Sequence, residues 1–360
     1  MCSSTATVTL PERVLDVEVP DQLLADGPVE AEGRRRDDVR MLVASRSHGV
    51  VAHARAADLP TFLEPGDVLV VNTSATLPAA IPTDDGSLVV HLSTDLGRGR
   101  WVVEVREPDH RGSRPHPIAD PVELHLRGGA TVRLVDPYSP AGSDGARLWV
   151  AELDTPIGVA GWLAEAGRPI RYGSTDTSWP LADYQTVFAA PTRWPIGLGS
   201  AEMPSAARPF TPELVSRLIA AGVVLAPITL HTGVSSLEAH EPPYAERYQV
   251  PATTAQLVDD AHAHGHRVIA VGTTATRALE TDADERGAHA GDGWTELVIT
   301  PERGLHVVDG IISGWHEPEA SHLLLMEAVA GRELLEASYD EAIAHRYHWH
   351  EFGDWHLVLP

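Results

Sequence analysis

Short runs of branched apolar residues, each closed by glycine, proline or a polar cluster, divide the chain into alternating elements. Val68 to Val71 and Val268 to Val271 are each four apolar residues in a row, the length and branching of strands buried on both faces. Val223 to Leu230, Leu297 to Thr300, Leu305 to Val308 and Asp354 to Leu359 read as further strands. Val39 to Val51 reads as a strand, a turn at His48 and Gly49, and a returning strand. Helical spacing is expected within 156–167 and over Glu213 to Ala221, Thr254 to His264, Ser321 to Ala330 and Tyr339 to His345. Pro212 suits a first helical turn and Gly222 a helix end.

The texture changes after about residue 82. Leu88 to Leu92, Trp101 to Val105, Val122 to Leu126, Thr131 to Val135 and Arg147 to Leu153 are short alternating runs between Gly, Pro and Asp clusters. The expected fold class is therefore an α/β core with an inserted small all-β, barrel-like domain. Residues 1–81 and 154–360 would form a discontinuous core and 82–153 the insert.

Composition narrows the function. Lys and Arg number 27 against 51 Asp and Glu, a net charge of -24 with histidines neutral, so bulk charge repels nucleic acid. Arg34 to Arg36 form the one basic run, a solvated surface or a phosphate contact. A single cysteine, Cys2, excludes an internal disulfide framework and a Cys-rich metal site. No basic leader precedes an apolar core, and no apolar run reaches membrane-spanning length, so a cytoplasmic protein with no membrane partner is expected.

The chemistry concentrates where Val271 ends. Gly272 permits a sharp turn, Thr273 or Thr274 suits the cap of a following helix, and Arg277 stands one turn in. Such a turn aims free backbone N–H groups and hydroxyls outward, which suits a carboxylate, a phosphate or ribose oxygens. An ordinary capped strand-to-helix connection fits the same residues. His231 closes a strand and is followed by Thr232 and Gly233, with Glu241 and Glu246 available as partners, so it suits proton transfer or a plain loop hydrogen bond. His262, His264 and His266 sit two apart, which on a helix faces different sides. His348 and His350 would share one strand face, with His345 and His356 nearby. No metal site is expected overall. Neither phosphate-binding glycine pattern nor a Gly-x-Ser-x-Gly elbow occurs, so nucleotide-triphosphatase, Rossmann dehydrogenase and α/β-hydrolase readings find no support.

Taken in order, these segments resemble the S-adenosylmethionine:tRNA ribosyltransferase-isomerase family of queuosine biosynthesis. The resemblance rests on Arg36-Asp37 with Arg40, Pro65 to Asn72, Tyr184-Gln185 with Val187, Gly199-Ser200 and Phe210-Thr211. It continues through Thr229 to His231 with Gly233, Ala245-Glu246 with Tyr248, and Val271 to Thr274 with Thr276-Arg277. Gly293 to Thr295, Val308 to Gly310, His316 with Pro318, Ala330-Gly331 and Phe352 to Asp354 complete it. It implies an α/β core interrupted by a small β-barrel. It also implies S-adenosylmethionine as a consumed substrate rather than a cofactor, and tRNA as acceptor. His231 or Glu246 would then supply acid–base steps. Gly272, Thr273, Thr274, Arg277, Tyr184, Gln185, Gly233, His316 and Asp309 would contact substrate.

The pattern also departs from the family's. Thr73 to Ala80 lacks two arginines, Pro209 stands at a histidine position, and Glu319 replaces a lysine after Gly314 to Pro318. These changes remove groups suited to anions and proton movement. Three readings remain open: the family reaction on tRNA, a divergent paralogue with a small-molecule acceptor or none, and a non-catalytic adenosyl-ligand or RNA-binding protein.

Overall fold

A computed structural model describes residues 14–360 except 110–111, 140, 143–144, 172–177, 191–196 and 235–242. Cys2 and Glu241 lie outside the described residues. Among those described, nine strands build one mixed sheet: β1 (Arg40–Ser45), β2 (Gly49–Arg55), β3 (Val68–Asn72), β4 (Val224–His231), β5 (Glu246–Val250), β6 (Val268–Val271), β7 (Gly291–Thr295), β8 (Gly310–Ser313) and β9 (Trp355–Leu359). Their spatial order is β7-β5-β4-β3-β6-β8-β9-β1-β2. β4, β3, β6 and β8 are mutually parallel neighbours, so all four release their C-terminal ends on one edge. That edge is where an α/β sheet leaves loops free to gather around a ligand.

The described residues include six α-helices, α1 (Val159–Ala166), α2 (Pro212–Ala220), α3 (Ala252–Ala263), α4 (Thr273–Thr281), α5 (His322–Ala330) and α6 (Arg332–Ala344), of which α2 to α6 cover this sheet. On one face, Leu214 and Leu218 of α2 pack with Met41, Leu69, Val71 and Ile269. On the other, α3 and α4 cover Val68, Val70 and Ala270, while α5 and α6 cover Leu42, Ile311 and Val358. Burial on both faces is why these strands read as unbroken apolar runs. Thr211 caps α2, its hydroxyl accepting from the Leu214 N–H at 3.1 Å.

A second, antiparallel sheet takes Ala80–Pro82, Val89–Gly97, Arg100–Asp109, Leu148–Asp154, Ala130–Pro137 and Glu123–Leu126 in that spatial order. Its end strands approach at a bridge between Thr83 and Leu126, which leaves it nearly closed and barrel-like. Val90, Trp101, Val103, Leu134 and Trp149 fill its interior, and Trp162 and Leu163 of α1 pack against it. The whole is a mixed α/β structure.

Several local expectations are corrected. Leu297 to Thr300 and Leu305 to Val308 are not strands. The buried Glu280 carboxylate accepts from the backbone N–H groups of His306, Val307 and Val308, so that segment wraps a side chain instead of joining a ladder. The strands that do form nearby are β7 and β8. The run around His348 and His350 is not extended either: His350 has φ +76° and Trp349 makes only an isolated bridge with Leu24.

Candidate functional site

The turn after β6 starts from Gly272, whose φ of +91° is a conformation that L side chains rarely adopt. A Cβ there would also meet the Ala206 Cβ at 3.2 Å. Gly272 itself is the N-cap of α4, without a side-chain cap, so neither Thr273 nor Thr274 performs the capping expected of them. They occupy the first helical positions instead, where backbone N–H groups lack intrahelical acceptors. Gly272, Thr273 and Thr274 line a cavity of about 500 Å³.

The opposite walls come from distant parts of the chain. Ser313 at the end of β8 leads into Trp315 and His316, α5 begins with His322, and Glu202 and Glu351 arrive from two loops. The His316 and His322 rings stack with centroids 5.0 Å apart and planes 10° from parallel, and Ser313 Oγ lies 2.9 Å from His316 Nε2. Shielding from solvent lowers the His316 pKa to about 3, with the neighbouring histidines adding to it. His322 falls to about 4 through burial and then the Arg277 charge. Both rings are therefore neutral at neutral pH. Burial followed by the Glu202 charge raises the Glu351 carboxyl to about 7.

A smaller cavity of about 70 Å³ shares Glu202, Thr232, Thr273, Thr274 and His322 with the first and adds Gly233, Glu246 and Arg277. Arg277 is 6% exposed. One of its nitrogens forms an ion pair with Glu246, and Nε donates to the Leu297 carbonyl at 3.0 Å. Its remaining Nη2 has no hydrogen-bond partner among the described residues. Glu246 also accepts from the Gly233 N–H at 3.1 Å. A buried guanidinium with an unpartnered Nη2 beside a helix N-terminus is suited to a carboxylate.

His231 ends β4 on the same sheet edge but is not among the residues lining either cavity. It is 5% exposed, and its Nδ1 lies 2.7 Å from Ser74 Oγ, which in turn lies 2.6 Å from Ser200 Oγ. Its Nε2 has no partner among the described residues, and burial followed by the Arg247 charge lowers its pKa to about 4. Asn72, at the end of β3, ties this strand end to the helix turn. Its amide donates to the Leu230 carbonyl at 2.9 Å and to Thr274 Oγ1 at 3.4 Å.

Three expected contacts lie elsewhere. Tyr184 is buried against Phe352, and Gln185 is engaged on both sides by the Thr76 backbone, so neither lines the cavities. Asp309 sits at the opposite sheet edge, accepting from the Val268 N–H at 2.8 Å and pairing with His262 at 2.9 Å. The basic run is spent locally: Arg34 bonds the Asp38 carbonyl, Arg35 pairs with Asp37, and Arg36 with Glu30. Sequence reasoning missed Glu202, His322 and Glu351, because only the fold brings them to Gly272. Trp315 and Glu319 stood inside a segment already singled out, flanking His316 and Pro318.

The family described as "Queuosine biosynthesis protein" matches residues 13–358. The chain is 32% identical to the S-adenosylmethionine:tRNA ribosyltransferase-isomerase of Symbiobacterium thermophilum, over 96% of this chain and 98% of that one. It is 35% identical to the enzyme of the same name from Thermus thermophilus, with the same coverage. Among solved structures it is similar to S-adenosylmethionine tRNA ribosyltransferase from Thermotoga maritima. The TM-score is 0.53 at 28% identity, covering 96% of this chain and 99% of that one.

Proposed function

Because the chain belongs to the queuosine biosynthesis protein family, we propose that it is an S-adenosylmethionine-dependent tRNA ribosyltransferase-isomerase. It transfers and isomerises the ribosyl group of S-adenosylmethionine onto a 7-aminomethyl-7-deazaguanine in tRNA, and adenine and methionine leave. The observation that carries this reading is the cavity of about 500 Å³ between the α4 N-terminus and the Glu202 and Glu351 carboxylates.

The substrate brings a carboxylate, a ribose diol, a sulfonium and an adenine, and the walls divide among them. The N–H groups and hydroxyls at Thr273 and Thr274, with the adjoining Arg277, suit the carboxylate or ribose oxygens. Neutral His316 and His322 offer hydrogen bonds without repelling the sulfonium. The sulfonium acidifies the neighbouring 5′ carbon, whose proton must pass to a base. Glu351, titrating near neutrality inside the cavity, is better placed for that step than His231 or Glu246. His231 is buried behind Ser74, and Glu246 is occupied in positioning Arg277. The barrel-like sheet is taken as a domain inserted into the α/β core.

One observation favours a second reading, a divergent acceptor. Glu317 and Glu319 line the cavity, and Glu319 stands where the family pattern carries a lysine, which suits a cationic acceptor better than tRNA phosphates. Incubation with S-adenosylmethionine, with and without tRNA carrying the aminomethyl base, separates the two. Adenine released only with that tRNA supports the proposal, and release without it supports the second reading. Binding without any release, with that tRNA present, would defeat the proposal.

A further inference from the structure

We propose that His53, Glu341 and His345 form a binding site for one divalent transition-metal ion, apart from the reaction cavity. Among the described residues this trio alone gathers three ligating groups, with the three ligand atoms all within 4.8 Å of one another. His53 comes from β2, the outermost strand of the large sheet, and Glu341 and His345 from the last turn of α6 and its C-cap. Glu341 Oε1 lies 3.0 Å from His53 Nε2 and 3.1 Å from His345 Nδ1, so two imidazoles already converge on one carboxylate oxygen. Their ring centroids are 4.4 Å apart.

Two features make this more than a surface cluster. The His53 Nδ1 lies 2.9 Å from the Tyr347 hydroxyl, a second hydrogen bond that fixes the ring and turns Nε2 toward Glu341. Glu341 and His345 are four residues apart on one helix face, and Arg40 holds the His345 carbonyl at 2.8 Å, which steadies the helix end. Arg40 also stacks 4.2 Å over the Tyr347 ring, and its charge is paired with Asp354. Two imidazoles and one carboxylate leave a fourth position for water, a donor set that suits Zn²⁺, Co²⁺, Ni²⁺ or Cu²⁺ and not Mg²⁺ or Ca²⁺. His345 Nδ1 also lies 3.1 Å from the Glu341 carbonyl, so taking the ion there requires the ring proton to sit on Nε2. The bound ion would pin the sheet's edge strand to α6.

Metal-free full-length protein is titrated with Zn²⁺, and with Co²⁺ as a spectroscopic probe. One equivalent is expected to bind, with a visible Co²⁺ absorption band and a raised unfolding temperature in Zn²⁺. His53→Ala with His345→Ala should abolish all three signals. Tyr347→Phe should weaken binding by about tenfold or more. A variant with His262, His264 and His266 all changed to Ala should bind as the parent does. Absence of binding by the parent, or parental affinity in the His53→Ala, His345→Ala variant, overturns the proposal. S-adenosylmethionine turnover is not part of the readout, so this result stands apart from the proposed reaction.

Discussion

Asn72 and Leu230 hold each other in both directions: the Leu230 N–H donates to Asn72 Oδ1 at 3.0 Å, and Asn72 Nδ2 donates to the Leu230 carbonyl at 2.9 Å. The same amide oxygen accepts from the Ser74 N–H at 3.0 Å, and the amide nitrogen reaches Thr274 Oγ1. One fully buried side chain thereby fixes the ends of β3 and β4 and touches the turn that opens α4. Asn72→Leu leaves several buried backbone groups unpaired, and it should cost about 3 kcal/mol in urea unfolding. The affinity for S-adenosylmethionine should fall with it, measured by titration calorimetry at a temperature where the variant remains folded.

How far the sequence revealed this arrangement depends on what each residue's neighbours are. β3 and β6 were legible because both faces are buried, which demands four apolar residues in a row. β7, Gly291 to Thr295, pairs among the described residues only with β5 and is partly exposed, so nothing in its composition announces a strand. Val307 and Val308 read as a strand because burial was mistaken for pairing, whereas Glu280 supplies their hydrogen bonds. At the site, the Gly272 turn was legible from local chemistry alone. Glu202 and Glu351 were not, since a carboxylate in a loop carries no local mark of the cavity it will face.

Arg277 and Glu246 form an ion pair whose side chains are only 7% and 13% exposed. Removing one partner strands the other charge, so Arg277→Met alone should destabilise the fold by about 3 kcal/mol. Arg277→Met combined with Glu246→Leu should cost less than the sum of the two single changes, by at least about 1 kcal/mol in a double-mutant cycle. Additive costs would show that Arg277 is held by Leu297 and packing instead.

Glu351 makes ligand binding pH-dependent. Its carboxyl titrates at about 7, and only the ionised form attracts a sulfonium. Affinity for S-adenosylmethionine should therefore weaken on acidification from about pH 8 to about pH 6, and Glu351→Gln should bind weakly with a flatter profile. Stability runs the other way. The folded carboxyl keeps a proton that the unfolded chain, titrating near 4.5, has already lost, so stability from this group falls as pH rises from 4.5 to about 7. Glu351→Gln should be more stable than the parent above pH 7 and gain nothing below pH 4.5, checked by urea midpoints across that range.

S-adenosylmethionine is expected to occupy the cavity between the α4 N-terminus and the Glu202 and Glu351 carboxylates. A crystal structure of the protein with S-adenosylmethionine, or with an unreactive analogue of it, tests this most directly. Ligand density is expected there, with carboxylate or ribose oxygens on the N–H groups of Thr273 and Thr274 and the sulfonium on the carboxylate side. Density in another cleft, or the sulfonium turned toward Arg277, would contradict it.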